Sequence, residues 1–175
     1  MNQAQNINLL GALALTLADK QLAAAQKVSG ISASACAALV TLGPHPGSTI
    51  GGIAKVAGLT HSVMVRTVEH LIELGLVERR PGTDRRVVTL RLTPAGTKTR
   101  AAVLKARTAA LTSALKGLSS SEQIQLGKLV SKMLVGVTES RAEANHLCRL
   151  CDEDVCCQAT CPVERETCRI ENLGG

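Results

Sequence analysis

The sequence predicts a mainly α fold, α+β only through one short antiparallel hairpin. Three observations carry this. Of the 175 residues 45% are apolar, yet none is Phe, Tyr or Trp. The core must then be Leu, Val, Ile, Ala and Met, which suits long helices better than a β-sandwich. Apolar residues recur at helical spacing through most of the chain. In one stretch only, GLVERRPGTDRRVVTLRLTPAG from Gly75 to Gly96, the period changes to two: Val88, Leu90 and Leu92 alternate with Val87, Thr89 and Arg91.

Taken in order, the chain begins with an Ala/Leu-rich helix over about 5–27, ending near Ser29-Gly30. Its apolar run Ile7 to Ala18 is too short to span a bilayer and no basic residues precede it, so it does not read as a targeting signal. The expectation is a cytoplasmic protein with no membrane partner. A second helix covers about 32–43, started by Ser32 or Ser34 and stopped by Gly43-Pro44. His45 to Ser48 is a loop. Residues 49–57 form a short helix with Ile50, Ile53, Ala54 and Ala57 on its buried side, although Gly51-Gly52 weaken it. Gly58-Leu59 is a tight turn. Thr60 caps a helix over 61–74 that Gly75 ends, with Met64, Val68 and Leu71 as its core stripe.

The hairpin follows. Leu76 to Arg80 is its first arm, Pro81 to Asp84 its turn, and Arg86 to Leu92 its second arm. Two long helices then cover about 94–117 and 121–147. Ser119 or Ser120 caps the second, whose apolar series is Ile124, Leu126, Leu129, Val130, Met133, Leu134 and Val137. Four parts result: an N-terminal helix (1–30), a central lobe (31–93), the long helices (94–147) and a Cys-rich tail (148–175).

The net charge of +6 is unevenly spread. Residues 76–107 hold nine Lys/Arg and two Asp/Glu, a net of +7, while residues 148–175 hold three and six, a net of −3. The positive charge therefore sits where a polyanion is engaged, unless the hairpin is merely a solvated face. Two short helices around a Gly turn, then a basic β-hairpin, is the plan of a winged helix-turn-helix. Such a unit suits double-stranded DNA. The second helix fits the major groove and the hairpin reaches phosphates or the minor groove.

Here the chain resembles the MarR family of transcriptional regulators. The resemblance covers about residues 30–147. It is most specific at IAKVAGLTHSVMVRTVEHLIELGLVERR (53–80) and GTDRRVVTLRLTPAG (82–96). The family's wing motif Asp-x-Arg appears as Asp84-Arg85-Arg86, followed by Leu92, Thr93, Pro94 and Gly96. The resemblance implies a homodimer, with the N-terminal helix and the last long helices as dimerisation layer, on a pseudo-palindromic operator. It implies that Arg86 enters the minor groove and that Asp84 holds the wing arginines. From the residues themselves, Arg66 and Ser62 are donors to bases or phosphates, and Val65 is a contact for a thymine methyl. His61 contacts DNA or caps the helix end. Arg79, Arg80, Arg85 and Arg86 supply the wing's charge. His45, His70 and His146 read as ordinary surface or helix-end residues, and Cys36 as a small core residue. The aromatic-free sequence offers no argument for a small-molecule effector.

No enzyme is expected. Gly51-Gly52 lacks the following Lys-Ser/Thr of a phosphate loop, and no Ser/His/Asp arrangement has supporting context. The tail, HLCRLCDEDVCCQATCPVERETC, is the second informative stretch, holding six of the seven cysteines. Cys148, Cys151, Cys156 and Cys161 form a four-thiolate pattern, with Cys157 as an alternative ligand and Cys168 as a further thiol. Four ligands within fourteen residues suit a loop wrapped around an Fe–S cluster, ranked above zinc. Part of the MarR family carries a similar C-terminal Cys signature, at Cys148, Cys151, Cys156 and Cys161 here. Two readings follow: a dimeric repressor or activator whose cysteines sense metal, iron–sulfur or redox status, or a metal-stapled adaptor that binds another protein. A regulator whose tail holds only a structural zinc is a variant of the first.

Overall fold

The computed structural model describes residues 2–173 apart from Thr83, Arg85, Cys157 and Gln158. Helix α1 (Gln3–Ser29) is capped by Asn2, whose side chain accepts from the Gln5 N–H, and ends at Gly30 in the left-handed region. It lies along α5 (Pro94–Leu115), where Arg107 Nε donates to Gln21 Oε1 at 3.1 Å. Between them and the rest sits α2 (Ala33–Leu42), capped by Ser32 and buried from Ala35 to Leu42. On α2 pack α3 (Ile50–Ala57), α4 (His61–Glu73) and β2 (Val88–Leu92), while β1 (Val77–Pro81) packs on α4 and β2. Leu39, Leu42, Ile53, Met64, Val68, Leu71, Val77, Leu90 and Val103 are fully sequestered. Each contributes roughly 1.5–3 kcal/mol of burial. The aliphatic and thioether core expected from an aromatic-free chain is thus present. Cys36 lies within it, and burial raises its thiol pKa.

The helix-turn-helix is set by local chemistry. Thr49 Oγ1 accepts from the Gly52 N–H at 3.1 Å, which starts α3 despite its two glycines. Gly58, at φ +66°, ends α3 in a conformation that side chains rarely adopt. Thr60 then caps α4 through the Val63 N–H. The strands pair antiparallel from Val77↔Leu92 to Pro81↔Val88. The tip closes through Gly82 N–H to Val87 O at 2.8 Å and Val87 N–H to Asp84 O at 2.9 Å. Arg86 and Val87 therefore belong to the tip, not to the second strand as expected. Of the alternating set, Leu90 is buried while Val88, at the outer end of β2, is 50% exposed. The loop before α3 runs beside β2, with Gly47 N–H to Leu90 O at 3.0 Å and Leu90 N–H to Ser48 O at 2.9 Å. At the wing's base Gly96 meets the chain entering β1: a Cβ there would stand 1.9 Å from the Leu76 carbonyl oxygen.

The single helix expected over 121–147 is two. Helix α6 (Ser120–Gly136), opened by a Ser119/Glu122 capping box, stops at Gly136. Two β-branched residues, Val137 and Thr138, follow. The Thr138 hydroxyl donates back to Leu134 O at 2.8 Å, and Ser140 caps a new helix, α7 (Arg141–Leu147). A glycine, poor helix formers and a fresh N-cap outweigh the continuing apolar period. The break turns α7 onto α3. The tail also holds a helix that the sequence pattern did not announce, α8 (Pro162–Leu173), opened by proline and resting on α6 and α7. Arg141 binds it through Glu164 and Glu171, both at 2.7 Å.

No residue of α6 is buried. Ile124, Leu129, Val130 and Met133 are exposed, as are Ile7, Leu9, Leu10, Leu13 and Leu15 of α1. No single helix among the described residues is long and apolar enough to cross a membrane. The α1–α2 pair passes that test only jointly and is bent by 81°.

Candidate nucleic-acid interface and thiol pocket

Helix α4 turns Met64, Val68 and Leu71 inward and leaves His61, Ser62 and Arg66 exposed, with Val65 half-buried. The Ser62 hydroxyl lies 3.3 Å from that of Thr60, the cap residue. The wing arginines divide into two kinds, a distinction the sequence does not make. Arg79 pairs with Glu69 and so ties β1 to α4, and Arg80 pairs with Glu78 at 2.8 Å. Arg66 and Arg86 are exposed, and among the described residues neither guanidinium has a partner. Asp84 Oδ1 accepts from the backbone N–H of Arg86 at 2.9 Å, an Asx turn that fixes the chain carrying that side chain. Arg85 lies outside the described residues. The surface thus offers a polar helix face and an open guanidinium at the wing tip, with Arg79 linking β1 to α4.

The four cysteines come from three pieces of backbone. Cys148 ends α7, and Cys151 closes a turn on it through its N–H to Cys148 O at 2.8 Å. Cys156 closes a second turn on Asp152 O at 2.9 Å, and Cys161 precedes α8 and is buried. All four line one cavity of about 130 Å³, together with His45 and Glu153. Hydrogen bonding from Cys148 brings the Cys151 thiol down to about 6, aided by Arg107 and opposed by burial. The same hydrogen bond, then burial and the neighbouring thiols, push Cys148 up. The pair therefore favours one thiol donating to one thiolate. Among the described residues no three His, Cys, Asp or Glu side chains already meet in metal-binding geometry. The donor set fits a thiophilic metal or an iron–sulfur cluster in kind: four sulfurs around one cavity, without a preformed coordination shell. Cys157 lies outside the described residues, and Cys168 is exposed on α8 beside Glu164.

The pocket is docked on the helix-turn-helix lobe of the same chain. His146 Nδ1 lies 2.9 Å from Val56 O, and its ring covers Gly58. His45 Nε2 lies 3.3 Å from Glu153 Oε1, and Arg100 is 3.7 Å from Asp154. Leu150 packs against the main core. His45 and His146, read from sequence as ordinary surface or helix-end residues, are thus contacts between the lobe and the segment from α7 onward. Position two residues before Cys148 was the only local hint for His146, and none existed for His45.

A model of the MarR family matches residues 29–87, from the end of α1 to the wing tip. No curated protein matches the chain. Among solved structures, the chain is similar to the YusO protein from Bacillus subtilis, with a TM-score of 0.64 and 25% identity over 76% of this chain and 97% of that one. It is similar to apo MarR from E. coli, at 0.60 and 23% over 71% and 96%. A MepR variant from S. aureus bound to an oligodeoxyribonucleotide matches at 0.58 and 21% over 75% and 97%. The last two likenesses bear on the fold alone.

Proposed function

From the premise that this chain is a MarR-family winged helix-turn-helix protein, we propose that it is a homodimeric, sequence-specific DNA-binding repressor. We propose further that it senses redox, iron–sulfur or metal status through its C-terminal cysteines. The family consists of transcription regulators and not enzymes. The observation that carries the DNA-binding reading is the pairing pattern of the basic side chains on α4 and the wing. Among the described residues Arg66 on α4 and Arg86 at the wing tip have no partner, while Arg79 and Arg80 are paired with Glu69 and Glu78. His61, Ser62 and Val65 join Arg66 at the major groove, and Asp84 and Arg85 flank Arg86 at the wing. The exposed aliphatic faces of α1 and α6 support the dimer, since two copies remove both from water. Its recognition helices would stand roughly 34 Å apart on a pseudo-palindrome. The site of action is the cytoplasm, where DNA and reduced thiols occur together.

Cys148, Cys151, Cys156 and Cys161 would hold the sensing group, an Fe–S cluster in preference to zinc, because the ligands follow one another closely in sequence. When bound, such a group supplies a state that oxidants or metal scarcity alter. The chain's own part is to place four sulfurs around one cavity and to anchor that cavity to the reading lobe.

The test begins with anaerobic purification. With no Trp or Tyr, the polypeptide is nearly transparent near 280 nm, so a cluster dominates the visible spectrum. One tightly held zinc per chain in a colourless protein would leave a structural staple. Metal-free protein with every tail thiol titratable would reject both groups. Selection from random duplexes should then recover one palindromic sequence, bound at least about 10³-fold above non-specific DNA. The adaptor reading allows no such preference.

A further inference from the structure

We propose that His146 is a positioning residue that ties the thiol pocket to the recognition helix, so that a change at the cysteines is felt at the turn of the helix-turn-helix. The proposal rests on the thiol-sensing reading above.

Helix α3 is eight residues long, and its last carbonyls need partners. Gly58 N–H bonds to Lys55 O at 3.2 Å and Leu59 N–H to Ala54 O at 2.9 Å. The Val56 carbonyl is taken by His146 at 2.9 Å. A carbonyl only accepts, so Nδ1 carries the proton and donates. Helix α7 thus completes the end of α3. The same ring lies over Gly58: a Cβ there would stand 2.7 Å from His146 Cε1 and 3.1 Å from Nδ1. The turn that aims α4 has no side chain of its own at this point, and the imidazole fills the space.

Two residues later comes Cys148, whose N–H bonds to Ala144 O at 3.0 Å. His146 and the first cysteine therefore share one turn of chain. On the far side of Gly58, Leu59 leads directly to the Thr60 cap and to His61 and Ser62. Two further polar contacts of the tail with the rest of the chain are weak by comparison. His45–Glu153 and Arg100–Asp154 each have a partner more than half exposed, at 53% and 84%, where ion pairs add little. Of these three contacts, the one made by His146 is both half-buried and hydrogen-bonded.

Amide hydrogen exchange on the full-length protein tests this, read at residues 57–64. The variants are His146→Ala, His146→Gln, Cys151→Ser, and a double variant carrying both His146→Ala and Cys151→Ser. Loss of one half-buried hydrogen bond and its packing should speed exchange in His146→Ala on the order of fivefold. The Gln side-chain amide can still donate to the Val56 carbonyl and should restore most of the protection. Cys151→Ser should speed the same amides in the native background and add less than about twofold to His146→Ala, because the route is already cut. Unchanged exchange in His146→Ala, or effects that simply multiply, would overturn the proposal. Operator affinity is measured in parallel. Coupled exchange with no change in affinity upholds the link and rejects the sensing reading.

Discussion

Asp84→Ala separates orientation from charge at the wing, because the two predict opposite signs. If Asp84 only repels phosphate, removing it should tighten DNA binding. A carboxylate about 10 Å from a phosphate is repelled by roughly 0.4 kcal/mol in water. At physiological salt, where the Debye length is about 8 Å, this falls to on the order of 0.1 kcal/mol. Against it stands the Asp84 Oδ1 bond to the Arg86 N–H. A bond of this kind contributes about 0.5–1.5 kcal/mol, and it fixes the backbone beneath the open guanidinium. Orientation therefore outweighs repulsion several-fold. The expected result is binding weaker by on the order of 1 kcal/mol, about fivefold in Kd. Asp84→Asn keeps an acceptor oxygen while losing the charge and should stay near the native value. Fluorescence anisotropy with a labelled operator at two salt concentrations measures all three proteins. Tighter binding by Asp84→Ala at low salt, or an Asn variant as weak as the Ala variant, would refute the orienting role.

Arg66→Ala and Arg86→Ala should each weaken operator binding by on the order of 1–3 kcal/mol, and either change, by removing a phosphate partner, should lower the salt slope by about one; Arg79→Ala, whose native side chain pairs with Glu69, should mainly loosen the wing and lower the slope less. Gly96→Ala must move the Leu76 carbonyl and should cost about 1–3 kcal/mol or more of stability, seen as a lower midpoint in urea unfolding. Leu129→Glu, on the exposed apolar face of α6, should shift the protein to monomer by light scattering without loss of helical circular dichroism. Cys161→Ser should abolish bound iron or zinc in elemental analysis, whereas Cys168→Ser, which sits on the outer side of α8, should retain it.

The parts legible in the sequence were those governed by neighbours along the chain. Met64, Val68 and Leu71 were readable as a stripe because spacing by four and three residues fixes a helix face whatever surrounds it. Thr60, Ser119 and Gly58 were readable because caps and left-handed turns are local chemistry. The cysteines were readable as a group because they lie close together in sequence. What escaped depends on distant partners. Nothing near Arg79 announces that Glu69 will claim it while Arg86 stays open. The helix break after Gly136 competes with an apolar series that continues to Val137, and local period alone favoured continuity. The hydrogen bond between His146 and Val56 joins positions 90 residues apart, and no pattern in either segment encodes it.

The docking of the tail on the lobe of its own chain fixes the stoichiometry of any response. In a two-fold dimer each thiol pocket would address its own operator half-site. A population in which half the pockets are damaged at random then contains many mixed dimers, each with one native reading head. Such dimers would lose affinity in one half-site only. Dissociation from the operator would then follow damage as two successive steps, and the titration of repression against oxidant would be shallow at first and steeper later. A pocket shared across the dimer interface would instead fail as a unit at the first hit. Heterodimers of tagged native chain and a Cys151→Ser chain, with their operator off-rate set between those of the two parents, would display the difference.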